Sequence, residues 1–251
     1  MPSIKTRSTS GPEVQPSVPV GRPTGRDARQ RELIPPEALA KCHAVVVGVG
    51  SVGRQVALQL AAMGVPAMTL LDPDTVSEEN LGCQGFWETD VGDAKVHAVG
   101  HVCHQQFPRL DLRCFQERFR RSSVKDWPRE RIHAVFLCVD SVDARKMIWE
   151  ATRRQAGFVA DGRMAAEVIR VLASDHPAGD SHYPRTLFSA GEAYQGSCTA
   201  KSTIYSANLA AGLMLGQFAR WLRGLPVIRD QTLNLLAAEL TVADGTVSDG
   251  N

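Results

Sequence analysis

Apolar residues along this chain follow no period at first and then alternate between two. Residues 1–25 hold Pro2, Pro12, Pro16, Pro19 and Pro23 without hydrophobic periodicity, so they bury too little to offset ordering and read as a flexible tail. From Ala44 the pattern tightens. Ala44-Val45-Val46-Val47 is a β-branched run suited to a strand covered on both faces. A glycine-rich turn follows, then an amphipathic stretch from about Ser51 to Met63 that stops at Gly64, a natural helix end. Met68 to Leu71 reads as a second strand, about Asp93 to Gln106 as a helix, and Leu112 to Phe115 as a third strand. Ile132 to Val139 is a strong fourth strand, with a helical stretch from Val142 to Gln155 behind it. Gly157 to Asp161 and Val168 to Ala173 continue as strands.

Residues 174–198 form a loop rich in Gly, Pro, Ser and His, followed by a long helix from about Ser202 to Arg223. Gln231 to Val242 mixes apolar and polar positions. Strands alternating with helices at this spacing predict an α/β fold. The expected architecture is a Rossmann-like, doubly wound, mostly parallel sheet with helices on both faces, a long crossover loop and a C-terminal helix and strand. Residues 26–251 are expected to form a single domain. A loop as long as 174–198 favours a functional segment over a plain connection.

Composition narrows the class of ligand. Among 251 residues the formal net charge is +1, which gives no global reason to expect nucleic acid or a membrane surface. Any charged partner must therefore meet a local site. No apolar run approaches the ~20 residues that cross a bilayer, and the N-terminus lacks the apolar stretch of a secretory signal. A cytoplasmic protein is the expectation. The six cysteines, Cys42, Cys83, Cys103, Cys114, Cys138 and Cys198, include no C-x-x-C pair. That argues against a tetrahedral zinc site and a disulfide framework.

The local site announces itself at Gly48-Val49-Gly50-Ser51-Val52-Gly53, a G-x-G-x-x-G turn between a strand and a helix. Gly48, Gly50 and Gly53 permit a tight turn and close backbone approach, and the helix start offers unpaired N–H groups to an anion. Asp72 ends the next strand, nineteen residues after Gly53, where a carboxylate can accept ribose hydroxyls. These features indicate nucleotide binding. They leave open whether the nucleotide is a redox dinucleotide or ATP.

The following residues bear on that choice. Leu71-Asp72-Pro73-Asp74-Thr75-Val76-Ser77-Glu78-Glu79-Asn80-Leu81-Gly82-Cys83-Gln84 resembles the D-x-D-x-V-x-x-x-N-L-x-R-Q segment of the ThiF family, which includes activating enzymes for ubiquitin-like proteins and sulfur carriers. Arg29-Gln30 is similar to its R-Y-x-R-Q, Asp90 to Lys95 to its D-x-G-x-x-K, and Asp140 to Arg145 to its D-N-x-x-x-R. The resemblance spans about residues 26–240. It implies adenylation, the attack of a carboxylate on the α-phosphate of ATP with loss of pyrophosphate. By resemblance Asp72 holds ribose, Asn80 and Lys95 contact phosphate, Asp140 binds Mg²⁺, and Asp74 and Gln84 belong to the nucleotide site. Arg29 is implied to reach into a partner's site, making the active unit a homodimer. The family's second arginine is Cys83 here, with Arg54 a candidate replacement.

Cys198-Thr199, before the long helix, resembles the C-T-x-x-x-x-P segment that carries the catalytic cysteine of activating enzymes, with Ile204 where proline is expected. A thiolate at a helix start beside Lys201 would be a strong nucleophile. The implied activity is adenylation of a ubiquitin-like protein's C-terminus, thioester formation on Cys198 and transfer to a conjugating enzyme. Cys83 is a rival thiol. Activation of a sulfur carrier, an NAD(P) oxidoreductase and a non-catalytic scaffold are the alternatives.

Overall fold

A parallel strand buried on both faces needs apolar side chains at every position, and β1 (Cys42–Val47) meets that demand along its whole length. The structure, a computed structural model, describes residue 25 and residues 28–187 and 203–243. After a short α1 (Pro36–Leu39) and β1 come α2 (Ser51–Met63), β2 (Ala67–Leu71), α3 (Glu79–Gln84), α4 (Lys95–Gln106), β3 (Asp111–Phe115) and β4 (Ile132–Leu137). Then follow α5 (Val142–Thr152), β5 (Ala156–Ala165), β6 (Val168–Ser174), α6 (Ile204–Leu222), β7 (Asp230–Asn234) and β8 (Glu239–Val242).

The strands form one eight-stranded sheet in the order β3-β2-β1-β4-β5-β6-β7-β8. β1 to β5 run parallel, and β6, β7 and β8 add antiparallel. The period of two splits the β1 side chains between two cores. Ala44 and Val46 join α2, α4 and α6 on one face. Val45 and Val47 join α5 and Trp127 on the other. Because β2 and β3 lie to one side of β1 and β4 to the other, a crevice opens at the carboxyl ends of β1 and β4, the switch point where such sheets hold ligands.

The expected fold is the observed one, with local differences that have physical causes. Gly64 does stop α2: it is left-handed at φ +89°, its N–H reaches the Leu60 and Ala61 carbonyls, and Val65 N–H reaches Leu60 as well. The helix expected to reach Gln155 ends at Thr152, and the single terminal strand is a hairpin, β7–β8. Its mixed pattern reflects a sheet margin, since every β8 residue is exposed. The start of the 174–198 loop is ordered into two 3₁₀ turns, Pro177–Gly179 and Tyr183–Thr186. Asp180 caps the second by accepting the His182 and Tyr183 N–H groups. No described helix is long and apolar enough to cross a membrane.

Below the crevice a polar chain crosses three strands. His43 Nδ1 meets His133 Nδ1 at 3.1 Å, and His43 Nε2 meets Thr69 Oγ1 at 2.8 Å. Burial, helped by the charges of His133, Arg113 and Arg131, pushes the His43 pKa down to about 3. Burial also lowers that of His133. The fold therefore disfavours the charged form of both rings, whereas an unfolded histidine takes up a proton near pH 6.5. Their contribution is complete above that pH and is lost as pH falls below it. We expect thermal stability to decline from pH 6.5 to 5 by up to ~1.4 kcal/mol per pH unit per histidine. In His43→Gln the slope should shrink. An unchanged slope in that variant would place the acid sensitivity elsewhere.

Candidate functional site

The crevice begins with a backbone that only glycine permits. Gly48 has φ +84°, and a β-carbon there would lie 2.5 Å from the Cys138 carbonyl oxygen. One on Gly53 would lie 1.8 Å from the Gly48 oxygen, so α2 starts in direct contact with the turn that feeds it. The free N–H groups of the first turn of α2 then face the crevice. Gly50 precedes the helix with the Gln84 side chain packed over it.

Asp72 ties this turn to the end of β2. Its Oδ2 accepts Val49 N–H at 2.8 Å and its Oδ1 accepts Asp74 N–H at 2.9 Å. Burial pushes its carboxyl pKa up, against the pull of the two N–H donors and of Lys95. Lys95, at the head of α4, is buried, and its Nζ sits 3.2 Å from Asp74 Oδ2. Across the crevice Asp140 follows β4 and is exposed. Its peptide is held by Arg145, whose Nη1 donates to the Asp140 carbonyl at 3.0 Å. Arg145 is itself fixed by Nε to Asp161 Oδ1 at 2.9 Å. Asp161 is fully buried and also accepts from Arg163 Nε and the Tyr183 hydroxyl. A buried ion pair needs its remaining lone pairs satisfied, and here two further donors, Arg163 and Tyr183, satisfy Asp161 Oδ2.

An open cleft of about 1280 Å³ brings Gly48, Gly50, Asp72, Asp74, Gln84, Lys95 and Asp140 together. Gly53 lies beneath it. Asn80 is not on its lining: its Oδ1 accepts Ser77 N–H at 3.0 Å and closes the turn ahead of α3. Arg29 is exposed in the turns before α1 and likewise stands off the cleft. Cys83 donates its thiol to the Glu79 carbonyl and does not line the cleft. Cys198 lies outside the described residues. The helix expected to begin near Ser202 with Cys198 at its head begins instead at Ile204, capped by Thr203, whose hydroxyl accepts Ser206 N–H.

Several lining residues carry no motif. Glu117, Arg118 and Phe119 follow β3, and Met164, Ala165 and Ala166 form the tip of the β5–β6 hairpin. The signal that marks them is position at the carboxyl edge of the sheet rather than residue type. Cys138 also lines the cleft, but burial and the nearby Asp161 push its thiol pKa up, so it stays protonated.

The sequence profile of the ThiF family matches residues 28–240. The chain belongs to the ThiF family. Among curated relatives, the sulfur carrier protein ThiS adenylyltransferase of Escherichia coli strain K12 is 29% identical over 113 residues, 45% of either chain. The molybdopterin-synthase adenylyltransferase of Salmonella typhimurium is 31% identical over 114 residues, again 45% of each. The Nedd8-activating enzyme E1 catalytic subunit of Drosophila melanogaster is 27% identical over 43% of this chain and 24% of its own length. The matches thus span less than half of these relatives. Among solved structures, Escherichia coli MccB with MccA-N7isoASN has a TM-score of 0.70 at 13% identity, covering 88% of this chain and 72% of that one. PaaA has a TM-score of 0.66 at 20% identity, covering 83% and 74%. These two establish the shared fold.

The geometry separates the two neighbouring aspartates. Asp72→Ala strands two backbone N–H groups and should cost about 1–3 kcal/mol in urea unfolding. Asp74→Ala removes only the exposed end of an ion pair and should cost under ~1 kcal/mol. Equal losses would show that Asp72 does not clamp the turn.

Proposed function

We propose that this ThiF-family protein is an ATP-dependent adenylyltransferase that activates the C-terminal carboxylate of a ubiquitin-like protein. The observation that carries the reading is the cleft itself, where the glycine turn, Asp72, the Lys95–Asp74 pair and Asp140 converge at the switch point of the sheet. In this reading the α2 N–H groups receive a phosphate, and the remaining Asp72 lone pairs take ribose hydroxyls. Lys95, a buried cation shared with an exposed Asp74, turns to the phosphates as their charge grows. Little covalent chemistry is asked of the protein, so alignment and charge neutralisation supply the rate.

Magnesium fits the donors present. The Asp140 carboxylate is exposed and has no hydrogen bond among the described residues, and a single carboxylate beside phosphates and waters is an ordinary arrangement for this ion. Bound there it would neutralise charge on the phosphates. Arg145 keeps Asp140 aimed at that place. Gly162, Ala165 and Ala166 keep one stretch of the lining free of bulky side chains, which suits a narrow peptide terminus entering toward the α-phosphate. Exposed Leu240 and Val242 on β8, beside Leu233, offer a protein partner an apolar surface. A second copy supplies Arg29, and Cys198 receives the acyl group for a conjugating enzyme. The names of the relatives span both modifier activation and sulfur-carrier activation, and the absence of C-x-x-C pairs from the sequence favours the former.

Asp140→Ala should lower ATP–pyrophosphate exchange by about two to three decades, the cost of one charge-stabilising group. Its circular dichroism and melting temperature should be unchanged. Near-normal exchange in the folded variant removes the metal role from Asp140. Cys198→Ser should exchange pyrophosphate as the wild type does, yet form no adduct with a ubiquitin-like protein that reducing agent cleaves. An adduct that persists in that variant, or maps to Cys83, assigns the thiol elsewhere. Exchange with no adduct in the wild type favours the sulfur-carrier alternative.

A further inference from the structure

Arg54 is the residue whose placement the fold does not explain. It is the fourth residue of α2 and only 7% exposed. Its guanidinium carbon stands 5.3 Å from the centre of the Phe86 ring. Nη1 lies 3.2 Å from the point a β-carbon on Gly85 would occupy, so the absence of a side chain at Gly85 makes its room. Among the described residues the guanidinium makes no hydrogen bond and no ion pair. Asp90 and Cys103 exert a field on it, while burial pushes its pKa down. A cation with five donors buried against a ring and no acceptor is costly unless some state of the protein supplies one.

The neighbourhood indicates where that acceptor sits. Gly50 caps α2 and its carbonyl accepts the Arg54 N–H at 3.0 Å, so Arg54 stands one turn behind it, and helical side chains lean toward the N-terminus. The Arg54 stem therefore points along the helix toward the glycine turn. Gln84 packs over that turn, its Oε1 3.5 Å from the Gly50 β-position, buried and without a partner among the described residues. Ser51 Oγ, also on the cleft lining, is likewise buried and unpartnered among the described residues. Gln84 and Ser51 line the cleft, whereas Arg54 itself stands off the described lining, against Phe86 and Gly85. The cations on the described lining are Lys95, paired with Asp74, Arg145, paired with Asp161, and Arg118, which follows β3.

We propose that Arg54 is a second phosphate-binding cation of the cleft, pairing with the polyphosphate of a bound nucleotide once Gln84 turns aside. The inference rests on the nucleotide reading of the site. In the ligand-free state the Phe86 face holds the guanidinium. The polyphosphate supplies the anionic oxygens it lacks, in the bidentate geometry that suits arginine.

The test compares ATP, pyrophosphate and AMP binding in the wild type, Arg54→Met and Arg54→Lys by fluorescence competition, with melting temperatures alongside. Arg54→Met keeps the apolar stem against Phe86 and removes the charge. It should weaken ATP and pyrophosphate binding roughly 10–100-fold, the range for a charge-assisted hydrogen bond, and leave AMP binding within about threefold. Its melting temperature should equal or exceed that of the wild type, because an unpaired buried charge has gone. Arg54→Lys should recover part of the ATP affinity. Wild-type ATP affinity in Arg54→Met overturns the proposal. So does an equal loss for ATP and AMP with a lower melting temperature, which would make Arg54 a strut for Phe86. A wild-type protein that binds none of the three overturns the nucleotide reading and this proposal together.

Discussion

The contact of Gly53 with the Gly48 carbonyl, too close to admit a single further carbon, places α2 against the end of β1. Much of the cleft depends on it. With α2 seated there, its unpaired N–H groups face the point where the strand order reverses. Val49 N–H is then within reach of Asp72, whose carboxylate locks the turn to β2 and, through Asp74, to Lys95 at the head of α4. A side chain at either glycine would separate the helix from the turn. The N–H cluster, the Asp72 carboxylate and the lysine would lose their common origin.

The other wall is held differently, by charge. Asp161 at the end of β5 gathers Arg145, Arg163 and Tyr183, and Arg163 passes the connection to the Thr186 carbonyl at 2.9 Å. The same network thus fixes the Asp140 peptide and the second 3₁₀ turn of the crossover segment, Tyr183–Thr186. Such a network adds little net stability over an apolar core, but it permits few alternative arrangements. Preorganisation of this kind is what a site working through alignment requires.

The parts legible in the sequence are those where backbone geometry restricts residue choice. The β-branched run of β1, the three glycines of the turn and the Gly64 stop each reflect a steric requirement that few residues meet. Asp72 was legible because its place at a strand end follows from the same βαβ unit. Other features depend on tertiary packing that leaves no pattern. α3 is too short for helical periodicity, and β8 is exposed throughout, so its alternation marks no core. Asn80 and Cys83 share a segment with Asp72 and Gln84, yet the turn of α3 directs them away from the cleft. Arg118 and the β5–β6 hairpin line the cleft through topology alone. Arg54 is a candidate phosphate cation in the sequence, but its burial against Phe86 and Gly85 leaves no pattern there.

The central claim is that this cleft takes ATP, and calorimetric titration of the purified chain with ATP and with NADH tests it most directly. The account predicts saturable ATP binding in the presence of magnesium, weakened in Lys95→Met, and no saturable binding of NADH. Saturable NADH binding with no heat from ATP would contradict it, and would return the glycine turn and Asp72 to the service of a redox dinucleotide.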